Sequence, residues 1–163
     1  MKETEFRNLC RSISRALQQS DLESLGEHGR IEVDGVDIAL FFDEQVNPDM
    51  LFCYVDMGAI ADAARTEVYG QLLSMNLLSG AKTNGVYSLD PASGNAIFVV
   101  HFMHPETLDA AQLAEAFKVY ATQTNSLRSL LAEDAEQKPG TDTGPVRASS
   151  MAAGRGASMV DLA

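Results

Sequence analysis

Few side chains of this chain stand at spacings that could do chemistry. There are three histidines, His28, His101 and His104. His101 and His104 are three apart at the end of an apolar run. On a strand that offset points them to opposite faces, and no Cys or carboxylate cluster is spaced to join them in a zinc site. Cys10 and Cys53 fall on the apolar sides of a helical and a strand-like pattern. Thiols in such places are buried and inert rather than nucleophilic, and two cysteines do not make a disulfide framework. There is no Walker A loop and no G-x-G-x-x-G turn; Gly85 and Gly94 belong to turn-rich stretches. The carboxylates are spread along the chain, and their spacing marks no acid–base pair. These residues favour binding over catalysis, with no metal and no cofactor expected.

Charge narrows the partners. Over 163 residues the formal net charge is −11. An acidic surface repels nucleic acid and anionic lipid, so neither is expected as a partner. There is no uninterrupted apolar run of the length a membrane helix needs. The opening Met1-Lys2-Glu3-Thr4-Glu5 lacks the basic-then-apolar pattern of a signal peptide, which fits a cytoplasmic, reduced protein. From Glu136 to Ala163 there is no aromatic residue, and Gly, Ala, Ser, Thr and Pro dominate. Such a segment buries too little apolar surface to offset its ordering entropy. The composition thus predicts one domain over 1–133 and a flexible tail over 134–163. The terminal Met159-Val160-Asp161-Leu162 is left without an assigned role.

The elements that must position a site follow from hydrophobic period. Phe6, Leu9, Cys10, Ile13, Ala16 and Leu17 share one face of a helix over 3–18, with Arg7, Arg11 and Arg15 on the other. Ile31–Val33 and Val36–Phe42 alternate around Asp34-Gly35, the signal of a type I′ hairpin. A third strand runs from Leu51 to Met57. A helix over 60–79 ends at Gly80 and carries two apolar ridges, Val68/Leu72/Met75 and Tyr69/Leu73/Leu77. Either that helix is sunk in the core or its second ridge meets another subunit. A second hairpin joins Val86–Leu89 to Ala96–Phe102 through Asp90–Asn95. The last helix spans 106–133, with Asp109 and Gln112 as its capping pair. The order α-β-β-β-α-β-β-α predicts an α+β domain whose antiparallel sheet is covered by helices.

Strand parity leaves a surplus of apolar faces. Val36, Ile38, Leu40 and Leu51, Cys53, Val55, Met57 form the natural core side. Ala39, Phe41, Phe52 and Tyr54 then lie opposite, among acids. Such a patch is either a protein-binding surface or is covered by a partner subunit or the long last helix. Ile97, Val99 and Met103 oppose Phe98, Val100 and Phe102, so both faces of the last hairpin look buried. A two-fold homodimer would cover what the helices do not.

The element order, the acidity, and the stretch Leu72-Leu73-Ser74-Met75-Asn76-Leu77-Leu78 followed by Gly85–Ile97 with its Asp-Pro-x-x-Gly turn resemble a known family. It is the Tir-chaperone (CesT-like) family, the class I chaperones of type III secretion. The resemblance covers about residues 1–133 and implies a homodimer that is not an enzyme. Such a protein binds the non-globular N-terminal segment of a secreted effector and keeps it soluble and export-competent. It implies effector contacts at Phe41, Phe52 and Tyr54 with Ile31 and Val33, and Leu25 at the edge of a groove between the first helix and the sheet. It implies a dimer contact at Tyr69, Leu72, Leu73 and Met75, with Phe98 and Val100. Docking on the export ATPase is left open. A small-ligand-binding α+β sensor domain is the competing reading and needs a closed pocket with convergent polar groups. An enzyme using dispersed carboxylates is the third.

Overall fold

The Asp34-Gly35 turn sets the register of the first hairpin. Both residues hold positive φ, 50° and 74°, as a two-residue turn matched to strand twist requires. In this computed structural model, which describes residues 1–79 and 85–136, the turn joins β1 (Arg30–Val33) to β2 (Val36–Phe41). The sheet continues with β3 (Met50–Ala59), β4 (Gly85–Leu89) and β5 (Asn95–Met103). Its spatial order is β1-β2-β3-β5-β4, and every neighbouring pair is antiparallel. The helices are α1 (Glu3–Ala16), α2 (Ser24–His28), α3 (Arg65–Ser79) and α4 (Ala110–Glu136). The expected α+β order is therefore present, with α2 as an unpredicted addition. The expected helix end at Gly80 and the segment 137–163 lie outside the described residues.

Alternation decides what the sheet buries. Val36, Ile38 and Leu40 of β2, Leu51, Cys53, Val55 and Met57 of β3, and Ala96, Phe98 and Val100 of β5 all point to one side and are buried. Phe6, Cys10 and Ile13 of α1 and Leu113, Phe117 and Ala121 of α4 fill the same cluster. Phe6 meets Phe42 with ring centroids 5.5 Å apart. Glu5 accepts from the Lys2 N–H at 2.7 Å at the start of α1. Asp109 accepts from the Gln112 N–H at 2.9 Å, so it caps α4 as its spacing predicts.

One close approach lies within the sheet and one joins it to a helix. A Cβ on Gly85 would lie 2.3 Å from the outer end of the Phe98 ring, so only glycine lets that ring approach β4 so closely. On β3 the register shifts between Asp56 and Gly58, a bulge where Gly58 holds φ +95°. Arg128 of α4 clamps this bulge. Its guanidinium donates to the carbonyl oxygens of Asp56 at 2.7 Å, Met57 at 2.8 Å and Gly35 at 3.3 Å.

Candidate functional site

The side of the sheet opposite the core carries no helix among the described residues. α4 packs against α1 and the inner side of β1, β2 and β3, so the last helix is not the cover for the outer face. Cross-strand register sorts this face into rows. Met50 pairs Met103 at one end. Next, Phe41 pairs Phe52, which pairs His101. Then Arg30, Ala39, Tyr54, Val99 and Val86 run across all five strands. At the far end Glu32 pairs Asp37, and Asp56, Ile97 and Ser88 align. The face is thus aromatic and apolar at one end and acidic at the other.

The aromatic end is a built cluster. The Phe52 ring lies 6.4 Å from Phe41, 6.3 Å from Tyr54 and 5.0 Å from His101, the last edge to face. Phe41 and Met103 are each 54 % exposed and Tyr54 36 %. Mutual contact fixes these rings while leaving their outer edges to water, an arrangement that lowers the entropy lost on binding a partner.

The acidic end is ordered by the bulge and by the β4–β5 turn. The Asp56 carboxylate accepts from the Gly58 N–H at 2.7 Å and from Asn95 Nδ2 at 2.9 and 3.1 Å. Asp90 accepts from the Ser93 hydroxyl at 2.6 Å and the Ala92 N–H at 3.0 Å. The Ser93 hydrogen bond, helped by the backbone one, holds its carboxyl below the usual carboxylate range. A concavity of about 400 Å³ opens between Arg30, Asp37, Tyr54, Asp56, Leu89 and Val99. A second of about 400 Å³ lies between His28, Arg30, Phe41 and Tyr54. Among the described residues no group of three or more His, Cys, Asp or Glu is placed to hold a metal ion. Burial pushes both thiols up to about 12, with the Glu3 charge adding to the effect at Cys10. These thiols are not nucleophiles at neutral pH.

The expected site residues divide. Phe41, Phe52 and Tyr54 lie together on the outer face. Leu25, Ile31 and Val33 do not join them: all three are buried in the protomer core, Leu25 completely. The correction follows from β1 register. Ile31 pairs Ile38 and Val33 pairs Val36, so they share the inner side, and Arg30 and Glu32 face out. The space between α1 and the sheet, expected as a groove, is filled by the same core.

The expected dimer residues divide as well. Leu72, Phe98 and Val100 are buried within the protomer, and Tyr69 and Met75 are half-buried. Val68 and Leu72 form the inner ridge of α3, which turns the next residues outward. Leu73 is 70 % exposed, Leu77 84 % and Leu78 75 %. Val86 of β4 is also exposed, though it points to the outer face.

Sequence reasoning missed Asn76, whose side chain closes the β4 edge. Its Oδ1 accepts from the Tyr87 N–H at 2.7 Å and its Nδ2 donates to the Tyr87 carbonyl at 3.0 Å. That pairing imitates a neighbouring strand and blunts the edge. The only prior signal was an amide inside an otherwise leucine-rich ridge. At the other edge, Gln19 Nε2 donates to the Glu32 carbonyl at 2.9 Å. The arginine stripe of α1 is largely neutralised, because Arg7 pairs Glu3 at 3.1 Å and Arg11 pairs Glu23 at 2.6 Å.

The fold is a helix-backed antiparallel sheet with one aromatic face that no described helix covers, on an acidic chain. Comparison with known proteins agrees. The model of the Tir chaperone protein (CesT) family matches residues 8–128. The chain belongs to this family, the class I chaperones of type III secretion, and the function the resemblance implied, an effector-binding chaperone, stands with it. Two solved structures share the fold. The structure of the ExsC–ExsE complex matches with TM-score 0.60 and 13 % identity, over 79 % of this chain and 95 % of that one. That of the HopA1–SchA chaperone–effector complex matches with TM-score 0.58 and 17 % identity, over 78 % of this chain and 95 % of that one. A search of curated proteins finds no match.

Proposed function

We propose that this chaperone lays the non-globular N-terminal segment of a secreted effector across the outer sheet face and keeps it soluble and export-competent. The carrying observation is that face itself: Phe41, Phe52 and Tyr54 in contact with one another, exposed at their edges, and left uncovered by every described helix. An extended peptide can seat apolar anchors there. The HopA1–SchA structure, a chaperone–effector complex with this fold, supports the partner class. The protein works without catalysis or cofactor. No described helix is long and apolar enough to cross a membrane. Membership of the chaperone family supports action in the bacterial cytoplasm. We assign the homodimer contact to the outward ridge of α3, where Leu73 is 70 % and Leu77 84 % exposed.

The test is Phe52→Asp in the chaperone co-expressed with its effector. An aromatic anchor at the centre of an interface contributes about 2–4 kcal/mol, so the effector Kd rises at least about 30-fold. Phe52 is only half-buried, so the thermal melt moves by no more than a few degrees. Unchanged affinity, or collapse of the fold, would refute the assignment of this face.

A further inference from the structure

The order of chemistry along the outer face matches the order of chemistry along residues 137–163. We infer that this segment of the chain itself occupies the outer face in the free chaperone and yields it to the effector. The inference rests on the reading of that face as a polypeptide-docking surface.

Three observations carry it. The first is where α4 ends. Arg128 bonds to the carbonyls of Gly35, Asp56 and Met57, so it sits at the acidic end of the sheet. The helix continues to Glu136, about 12 Å further at the helical rise. The segment therefore leaves from the acidic end. The second is charge. Between Thr143 and Val160 there are two arginines, Arg147 and Arg155, and no acid. The near end of the face presents Glu32, Asp37 and Asp56. The third is sequence order. Beyond the arginines stand Met159, Val160 and Leu162, with Asp161 between the last two, and beyond the acidic row stand Tyr54, Phe52 and Phe41, with Arg30 in the row of Tyr54 to meet that carboxylate. Arg147 is 11 residues past Glu136, a reach of about 36 Å, and Met159 is 23 past, a reach of about 76 Å. From Asp56 to Phe52 along β3 is about 13 Å. The segment can thus round the sheet end, set its arginines in the acidic concavity and lay its apolar end on the rings. A tether of this length holds it at a millimolar effective concentration, so a contact with a Kd below about that concentration is populated within one molecule.

The test compares the full chain with R147E/R155E in the same full chain, followed by amide NMR. Expected are shifts at Ala39, Tyr54 and Val99 in the variant that do not depend on protein concentration. A chain stopped after Glu136 gives the same shifts. A synthetic peptide of residues 137–163 then binds the variant more tightly than the full chain, by the factor one plus effective concentration over Kd that self-competition sets. Outer-face signals identical in both proteins overturn the inference. So do differences confined to Leu73 and Leu77, or shifts that grow with protein concentration, which would place a second copy's segment there. If these fail while Phe52→Asp still abolishes effector binding, only the self-occupancy falls. If Phe52→Asp leaves effector binding intact, the reading of the face falls as well.

Discussion

Arg128→Met removes one guanidinium and tests how the aromatic face is held. The substitution keeps an apolar stem of similar length and deletes the donors. Two of the three bonds are short and part-buried, at 2.7 and 2.8 Å to the Asp56 and Met57 carbonyls; the third, to Gly35, is longer at 3.3 Å and exposed. A hydrogen bond from a charged donor contributes about 1.5–3 kcal/mol net. Counting the two short bonds at the low end of that range gives about 3 kcal/mol. With about 130 ordered residues, the unfolding entropy is about 0.27 kcal/mol per kelvin. The expected drop in Tm is therefore about 10 °C, read by circular dichroism at fixed protein concentration, since oligomerisation shifts Tm. The bulge that Arg128 grips also holds Asp56, which bonds to the Gly58 N–H and to Asn95 at the acidic end of the outer face. The amide signals of Asp56, Gly58 and Asn95 should shift, while those of α1 stay in place. A loss below about 1 kcal/mol, or a uniform change throughout the spectrum, would refute the clamp.

Three further outcomes are expected. Asn76→Ala leaves the outward N–H and carbonyl of Tyr87 without their partner, so hydrogen exchange at the Tyr87 amide accelerates about tenfold, for a loss of about 1.4 kcal/mol; unchanged exchange would deny the edge cap. Leu77→Asp places a charge on the outward α3 ridge and converts the proposed dimer to monomer by light scattering without lowering the protomer's helical content; an unaltered mass would remove this ridge from the proposed interface. The thiols give a pH test. Their folded pKa values are raised from 9.0 to about 12. The unfolded chain therefore loses these protons first, and stability is full below about pH 9 and falls as pH rises toward 12, by about 1.4 kcal/mol per unit for each thiol. Urea melts at pH 8 and 10.5 should show this loss, and Cys53→Ala should shrink it; an equal loss in the variant would sink the assignment.

Much of this protein was legible in its sequence because it is decided locally. The Asp34-Gly35 hairpin, the Asp109 cap, the period of α1 and the alternation of β2 and β3 depend on neighbours within a few residues, and the resemblance in the Leu72–Leu78 stretch pointed to the family. The placement of Phe41, Phe52 and Tyr54 opposite the core followed from parity alone. Other features needed distant partners. Five-residue α2 is too short to show a period. The fate of Leu25, Ile31 and Val33 was decided by which side of β1 the helices cover. The inward turn of Leu72 and outward turn of Leu73 was decided by contact of α3 with the core. Asn76 and Arg128 read as ordinary polar residues until the chain brings Tyr87 and the β3 bulge, 11 and about 70 residues away, to their side chains. Backbone preference and side-chain period act over a few residues and are written in the sequence; which apolar face is buried, and which polar group meets which carbonyl, is settled only when the whole chain competes for one core.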